Sequence, residues 1–324
     1  MTGAEAGRPA LAGTLVVAAA TFNRPKGLAL LLDHLERQRF SGAEPRVEVV
    51  IVDNSPDANA RTLVEERAAR YRWPLHFAHE RVRGIAQARN RALDEAAAVD
   101  GAWLAFIDDD EYPDPHWLDR MTAMAAQTGA TAVIGTLLPD FEARPPRWIE
   151  KGGFLAIRKY AEGQPLDFGN TSNVLFNLRF ARRHEIRFDL SFALTGGEDT
   201  LFFQEVQRSG GRIVFCRSGV VHETIVPERA RLGWLLRRWV RSGNTDGRIA
   251  MRVNPGLAAR AIAVLGGGLV RMTVGGGLAL LTSPLALLGR GHVPAEHLRV
   301  ASRGVGFVMS ALGSTIEEYR TVKR

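Results

Sequence analysis

The feature that most constrains this chain is an apolar run that ends in four consecutive acids. Leu104–Ile107 is uninterrupted and apolar, Asp108–Glu111 follows at once, and Pro113 and Pro115 end the segment. A short apolar run bounded by turn residues is typical of a strand buried in a parallel sheet. Ligands of open α/β sheets bind at the carboxyl ends of such strands. Crowded carboxylates raise one another's pKa, and Mg²⁺ or Mn²⁺, which prefer oxygen ligands, would relieve that repulsion. The alternative is an acidic loop in which Asp114 caps the next helix.

Strand and helix patterns alternate through the first half of the chain. Apolar runs, each followed by an amphipathic helical pattern or by the acids, predict strands at residues 14–20, 47–52, 75–78 and 103–107. This alternation is typical of a doubly wound α/β sheet. Thr21–Arg24, Asp53 and Asp108–Asp110 directly follow three of these strands, so we expect their side chains at one edge of the sheet. The sequence has no Gly-x-Gly-x-x-Gly after the first strand and no P-loop motif, which argues against a dinucleotide-binding domain.

Four segments, taken in their order, resemble one enzyme family. They are AAATFNRP, VIVDNSPD, GIAQARNRAL and AFIDDDEYPDPHWL, which begin at residues 18, 50, 84 and 105. Together they resemble the family-2 glycosyltransferases, and the resemblance covers roughly residues 14–226. It implies the GT-A fold, a Rossmann-like doubly wound mixed sheet of the α/β class. It also implies an enzyme that uses a nucleotide-sugar donor with Mn²⁺ or Mg²⁺.

The resemblance assigns roles to the residues at the strand ends. It implies a donor-binding set formed by Thr21, Asn23, Arg24, Asp53, Arg89, Asp108 and Asp109. The acidic run matches the D-x-D motif, with Asp110 as the leading metal ligand, Asp108 beside it, and Asp109 near the ribose or sugar. For Arg89 a solvated helix charge is the alternative.

A second acidic pair, Glu198 and Asp199, follows two glycines and opens an amphipathic helix. A helix amino terminus stabilises anions, and by itself the pair reads as a helix cap. The resemblance implies a catalytic pair instead, with Asp199 as general base and Glu198 as its orienting partner or fallback.

Three further side chains have two interpretations each. His222 follows an apolar strand and is either a packing residue or, as the resemblance implies, a late metal ligand. Its affinity for a metal would fall as the pH drops, because a ligating imidazole must be neutral. Asn170 and Asn173 are either hydroxyl contacts of the sugar pocket or turn residues.

The charge is divided unevenly along the chain. Residues 229–324 contain 15 Lys and Arg against 4 Asp and Glu, whereas residues 1–228 contain 27 against 31. The single cysteine, Cys216, excludes an internal disulfide. We therefore divide the chain into a glycosyltransferase domain, residues 1–228, and a basic, partly hydrophobic helical tail, residues 229–324.

The tail has the composition of a membrane-associating segment. Arg231–Arg241 is an Arg- and Trp-rich amphipathic pattern, and residues 261–289 contain one charge, Arg271. Basic residues flank this apolar stretch on both sides, which favours a re-entrant or interfacial hairpin on the cytoplasmic face of a membrane. The alternative is a soluble helical pair that packs on the sheet. Nucleic acid is disfavoured as a partner, since a phosphate-binding surface does not require an apolar insert.

These observations predict an inverting, metal-dependent glycosyltransferase. It would move a sugar from a nucleotide-sugar, most simply a UDP-sugar, to a hydroxyl of a glycan or a lipid-linked acceptor. Inversion follows from the resemblance and not from residue spacing. The alternatives are a nucleotidyltransferase with the same acid and metal site, and a non-catalytic membrane scaffold that retains the fold.

Overall fold

The computed structural model describes residues 11–157, 160–253 and 256–318. They form two compact units. The first unit comprises the described parts of residues 1–139, 156–194 and 198–223, and the second unit those of residues 140–155, 195–197 and 224–324. The boundary expected after residue 228 stays a prediction. Residues 254–255 and 319–324 of the predicted tail lie outside the described residues.

The described residues form one mixed sheet. Its strands are β1 Thr14–Thr21, β2 Val47–Asp53, β3 Leu75–His79, β4 Gly101–Ile107, β5 Glu111–Pro113, β6 Ala132–Phe141, β7 Pro165–Leu166, β8 Asn173–Asn177 and β9 Ile213–Ile225. The spatial order is β3-β2-β1-β4-β8-β6-β9-β5, with β7 paired to β9. The helices are α1 Pro25–Glu36, α2 Arg61–Ala68, α3 Ile85–Ala98, α4 Trp117–Thr128, α5 Arg147–Gly152, α6 Leu178–Arg183, α7 Glu198–Arg208, α8 Leu232–Val253, α9 Leu257–Ile262, α10 Val270–Thr282 and α11 His292–Ala311.

The predicted doubly wound mixed sheet is confirmed. Strands β3, β2, β1 and β4 are mutually parallel, whereas β8 runs antiparallel to both β4 and β6. In the parallel register Thr21 lies opposite Asp53. The carboxyl ends of β1, β2 and β4 therefore meet at one edge of the sheet, where the acidic run begins.

Helices cover both faces of the sheet in the first unit. One core contains residues of α1, α2 and α4 together with Leu15 and Val17 of β1. The other contains residues of α3, α6 and α7 together with Val16 and Ala18. Successive residues of a strand point to opposite faces, so the middle of β1 is apolar on both sides, from Leu15 to Ala19.

Two elements are longer than the sequence patterns predict. Strand β9 continues past the expected end at Cys216 to Ile225. It pairs with β7 at its start and with β5 at residues 221–223. Helix α8 continues past Arg241 to Val253, through Gly243 and Gly247. Glycine weakens a helix, but a Cβ on Gly243 would lie 1.9 Å from the carbonyl oxygen of Arg303 in α11, so the close helix contact requires it.

The second unit is mainly helical. Its small core contains Ile149, Leu155, Ile225, Leu235 and Trp239. Helix α11 packs against both α8 and α10. A helical path that begins with α9 runs through Ala263–Leu269 into α10 and a short 3₁₀ turn, after which the chain reverses into α11.

Candidate active site

Asp109 is the most firmly held side chain of the acidic run. Its carboxylate accepts hydrogen bonds from Thr21 Oγ1 at 2.8 Å, from the Phe22 backbone N–H at 3.3 Å, and from Arg24 Nη1 at 2.8 Å. Burial raises the pKa of Asp109, and the charge of Arg24 opposes that rise. The β1–α1 loop and the acidic run are thereby joined at the sheet edge. The structure brings together the predicted residues Thr21, Arg24 and Asp109.

Asp108 and Glu111 contact each other across the turn that contains Asp109. The Asp108 backbone N–H donates to Glu111 Oε2 at 2.9 Å, and Glu111 lies opposite Glu223 of β9. Although 39% of the Asp108 side chain is exposed, desolvation by the surrounding protein raises its pKa to about 7. Arg89 lowers that pKa, whereas Asp110, Asp109 and Glu223 raise it. Burial followed by repulsion from Asp108 also raises the pKa of Glu111 well above its usual value.

Arg24 is shared between two acids. Its Nη1 lies 2.8 Å from both Asp109 Oδ1 and Asp110 Oδ2, and 44% of its side chain remains exposed. Burial alone would lower the pKa of Arg24, but Asp109 and Asp110 hold it above its usual value. An exposed guanidinium at this edge can still reach an anionic ligand.

The donor set fits a divalent cation held jointly by protein and ligand. Five carboxylates crowd this region, from Asp108, Asp109, Asp110, Glu111 and Glu223. The guanidinium groups of Arg24 and Arg89 lie among these carboxylates. In the described ranges no group of three or more His, Cys, Asp or Glu converges as a complete metal cage. Mg²⁺ is commonly bound by one or two carboxylates and completed by substrate phosphates, a role that Asp108 and Asp110 suit.

Arg89 joins the two acidic motifs. Its Nη1 forms an ion pair with Glu198 Oε1, and its Nη2 lies 3.4 Å from Asp108 Oδ1. Arg89 and Glu198 are both buried, which excludes the solvated helix charge considered for Arg89. Burial raises the pKa of Glu198 to about 7, with Arg89 opposing and Asp199 adding to the rise. Glu198 Oε2 has no hydrogen-bond partner among the described residues.

Asp199 is the more accessible member of the pair. It lies in the first turn of α7, and its Oδ1 accepts a hydrogen bond from the Thr200 backbone N–H at 2.7 Å. The preceding Gly196 and Gly197 have φ angles of 78° and 98°, a region that favours glycine. These glycines turn the chain sharply into α7, so that Glu198 points inward while Asp199 stays partly exposed.

Asp53 and Asn23 support the loops around the edge. The Asp53 carboxylate is buried and accepts hydrogen bonds from the Ser55 and Ala60 backbone N–H groups. Asn23, with φ of 54°, accepts a hydrogen bond from Asn59 Nδ2 at 2.5 Å. In this structure Asp53 shapes the turn into α2, and its predicted contact with the nucleotide stays a prediction.

His222 lies away from the acidic run. Its Nε2 is 3.1 Å from Asp114 Oδ1, and its ring stacks on Tyr112 at 5.1 Å between centroids. Because adjacent strand residues point to opposite faces, the neighbouring Glu223 is the residue of β9 that faces Glu111 and Asp108. These contacts are those of a packing residue, and the predicted role of His222 as a metal ligand stays a prediction.

The two asparagines considered for the sugar pocket differ in placement. Asn170 Oδ1 accepts a hydrogen bond from Ser172 Oγ at 2.8 Å, as a turn residue does. Asn173 is buried; it accepts a hydrogen bond from Trp117 Nε1 at 2.8 Å, and its Nδ2 donates to Thr136 O and Gly219 O. Asn173 therefore joins β8 to its neighbours inside the protein.

Sequence reasoning missed two residues that build the site. Asn54 Nδ2 donates to the carbonyl oxygens of Glu80 and Val82, and its Oδ1 accepts from the Gly84 N–H, which fixes the loop before α3. Gly27 lets α1 approach the acidic run, since a Cβ there would lie 2.3 Å from the Asp109 carbonyl oxygen. Asn54 lies next to Asp53 at the end of a predicted strand, a signal that could have marked it. Gly27 gives no signal in the sequence, because its role depends on the contact with the acidic run.

Comparison with known proteins defines the class to which this fold and site belong. The family model of glycosyl transferase family 2 matches residues 16–186. The chain is 36% identical over 238 residues to the succinoglycan biosynthesis protein ExoM of Rhizobium meliloti (strain 1021), covering 73% of this chain and 75% of that protein.

Solved glycosyltransferases have the same fold. The mannosyltransferase PcManGT of Pyrobaculum calidifontis, in complex with GDP-Man and Mn²⁺, superposes with a TM-score of 0.61 at 20% identity, covering 94% of this chain and 88% of that one. S. aureus TarS 1-349 in complex with UDP-GlcNAc gives 0.52 at 16%, with 93% of both chains covered. The chain spans 55% of the longer TarS structure, which gives 0.52 at 17% identity and covers 89% of this chain.

The chain belongs to glycosyl transferase family 2 and has the GT-A fold. It is a glycosyltransferase.

Proposed function

We propose that this glycosyltransferase is inverting and metal-dependent, and that it transfers a sugar from a UDP-sugar to a hydroxyl of a glycan or lipid-linked acceptor during polysaccharide assembly. The observation that carries the proposal is the bridge made by Arg89. The guanidinium group of Arg89 contacts both Asp108, in the acidic run proposed to bind the metal, and Glu198, in the acidic pair at the start of α7. The two acidic motifs therefore border one site, as glycosyl transfer to a hydroxyl requires.

The acidic run and Arg24 serve the donor end of the site. Asp108 and Asp110 would hold Mn²⁺ or Mg²⁺, which supplies Lewis-acid stabilisation of the departing nucleoside diphosphate. Arg24, with its exposed guanidinium, contacts the same anionic group. Asp109 keeps this arrangement in place, because its oxygens are held by Thr21, Phe22 and Arg24.

Asp199 serves the acceptor end. It takes the proton of the acceptor hydroxyl as that oxygen attacks the anomeric carbon of the donor. A single displacement of this kind inverts the anomeric configuration. Glu198 is poorly suited to be the base, since it is buried and its Oε1 is paired with Arg89. It acts instead as the residue that orients Arg89.

The relatives support the choice of donor and acceptor in this proposal. TarS was solved with UDP-GlcNAc and PcManGT with GDP-Man and Mn²⁺, which supports a nucleoside-diphosphate sugar and a divalent metal. The name of ExoM, a succinoglycan biosynthesis protein, supports a polysaccharide or its lipid-linked precursor as acceptor.

The test is product analysis with UDP- and GDP-sugars in the presence of Mn²⁺ and a lipid-linked or oligosaccharide acceptor. We expect release of nucleoside diphosphate and, by NMR, a product with inverted anomeric configuration. The Asp199→Asn variant should lose transfer by about a hundredfold or more, whereas Glu66→Gln, which changes an exposed acid of α2, should keep the parent rate.

Three results would contradict the proposal. Release of pyrophosphate would identify a nucleotidyltransferase. A product with retained configuration would exclude the single displacement. Transfer by Asp199→Asn at the parent rate would remove Asp199 as the base.

A further inference from the structure

Helix α10 forms the outer layer of the second unit. Helix α11 lies between α8 and α10, and glycines bring both neighbours close to it. A Cβ on Gly306 would lie 1.9 Å from Val240 O of α8, and a Cβ on Gly275 would lie 2.8 Å from the Ala301 backbone nitrogen. Gly275 of α10 therefore faces α11, and Gly275 and Ala279 are the buried residues of this helix.

The large apolar residues near α10 face outward. Six of them, with between 53% and 91% of their surface exposed, are Val270, Val274, Leu280, Leu281, Leu287 and Leu288. Among the described residues, Gly266–Ala286 is the one helical segment that is long and apolar enough to cross a membrane, with a mean hydropathy of 1.3. Only 11% of its most apolar part is buried. The buried residues of α10 are small and its leucines are exposed, which is the reverse of the arrangement expected for a helix in a water-soluble protein.

The charge around this face is of one sign. From Gly247 to Ala295 the sequence contains five arginines and no aspartate or glutamate. Arg252, Arg260, Arg271 and Arg290 are exposed. Two copies of such a surface would repel each other, whereas anionic lipid headgroups complement it. An anionic membrane surface can bind both the exposed leucines and the arginines around them.

The packing of α11 decides between lying on the membrane and crossing it. Contacts of Gly275 with Ala301 and of Gly268 with Val308 align α10 and α11 antiparallel. Arg299 and Arg303 of α11 therefore lie at the same level along the helix axis as the middle of α10. Arg299 pairs with Glu296, and Arg303 pairs with Asp246 of α8. If α10 crossed the bilayer in this fold, these charges would enter the hydrocarbon region at high cost.

We propose that α10 and the turn that follows it lie in the plane of an anionic membrane surface, with the exposed leucines at the acyl boundary and α11 on the water side. Such a surface would hold the enzyme where a lipid-linked acceptor is found. The inference does not depend on the donor, the metal or Asp199. The cytoplasmic side expected from the sequence stays a prediction.

The first experiment measures binding of the full chain to sedimented vesicles of phosphatidylcholine with and without phosphatidylglycerol. We expect binding to the mixed vesicles that weakens with added salt. Leu281→Ser with Leu288→Ser should weaken it by about tenfold or more. The matched control, Val82→Ser with Leu190→Ser, removes two exposed apolar side chains of the first unit and should bind as the parent does.

Two outcomes overturn the membrane proposal at this stage. One is equal binding by the parent and the Leu281/Leu288 variant. The other is failure of the parent to bind while it forms a dimer that the same two serines dissociate, because the apolar face would then be covered by a second copy.

The second experiment measures depth. Cysteine is introduced singly at positions 270, 274 and 281 in the Cys216→Ser variant and is labelled with an environment-sensitive fluorophore. The extent to which nitroxide-labelled lipids quench the fluorescence reports the depth of each position in the membrane. Positions 270 and 281 are about 16 Å apart along a helix axis. In-plane insertion predicts the same shallow depth at all three positions. A steady change in depth from 270 to 281 would show that α10 crosses the bilayer and would overturn the proposal.

Discussion

At the scale of single residues, the site is governed by carboxylates that are costly to ionise. Burial raises the pKa of both Asp108 and Glu198 to about 7. Arg89 opposes both shifts from one position, which explains why a buried arginine is placed between them. Removal of one partner from a buried ion pair typically costs about 3–5 kcal/mol, because the other charge is left without compensation.

The raised pKa of Glu198 predicts a pH dependence of stability. The unfolded chain loses this proton near the ordinary pKa of about 4.3, and the folded protein loses it near 7. Between these values the folded state binds more protons, so the contribution of Glu198 to stability falls as the pH rises. Thermal unfolding of metal-free parent and Glu198→Gln, from pH 4.5 to 8, should show that the parent loses more stability over this window. Parallel profiles would contradict the assignment.

Asn173 tests the difference between a structural and a sugar-binding asparagine. Asn173→Ala leaves the Trp117 N–H and the carbonyl oxygens of Thr136 and Gly219 without their partner. We expect a loss of about 2–4 kcal/mol in the free energy of unfolding, measured in urea, and an unchanged KM for the donor in the folded fraction. A raised KM for the donor with the stability of the parent protein would contradict this structural role and would support a sugar contact by Asn173.

At the scale of elements, the close approach of α1 to the acidic run is open to a direct test. Gly27→Ala would place a methyl group 2.3 Å from the Asp109 carbonyl oxygen, so α1 or the acidic run must move. We expect this variant to have a lower Tm than the parent protein and a KM for the donor that is raised about fivefold or more. Gly42→Ala is the matched control, because a Cβ there meets no atom within 4 Å. Equal kinetics in the two variants would show that the approach is unimportant to the donor site.

The elements differ in how well the sequence predicts them. The apolar runs of β1, β2 and β4 are distinctive, because a strand buried on both faces has few polar positions. Glu48 of β2 is an exception, and it is paired with Arg46 and His76. The extent of α8 was missed since Gly243 and Gly247 look like helix breakers until α11 is known to contact them. The direction of His222 depends on the register of β9 with β5, and no local pattern carries that information. The sequence does predict that Asp109 and Arg24 lie together at the sheet edge, because each follows the end of a clear strand.

At the scale of the whole molecule, two chemical characters are separated along the chain. Residues 1–228 have an excess of acids, and residues 229–324 have an excess of bases. The acids of the candidate active site are concentrated at one sheet edge, where Arg24 and Arg89 lie among them. The donor's diphosphate would bring further negative charge to these acids, so the proposed function requires a cation beside it.

The most direct test of that requirement is the affinity for UDP measured by calorimetry with and without Mn²⁺. We predict that the parent protein and Asp199→Asn bind UDP in a Mn²⁺-dependent manner with equal affinity. We predict that Asp110→Asn weakens this binding by about tenfold or more. Binding of UDP that is indifferent to Mn²⁺, or an Asp110→Asn variant that binds as the parent does, would contradict the account.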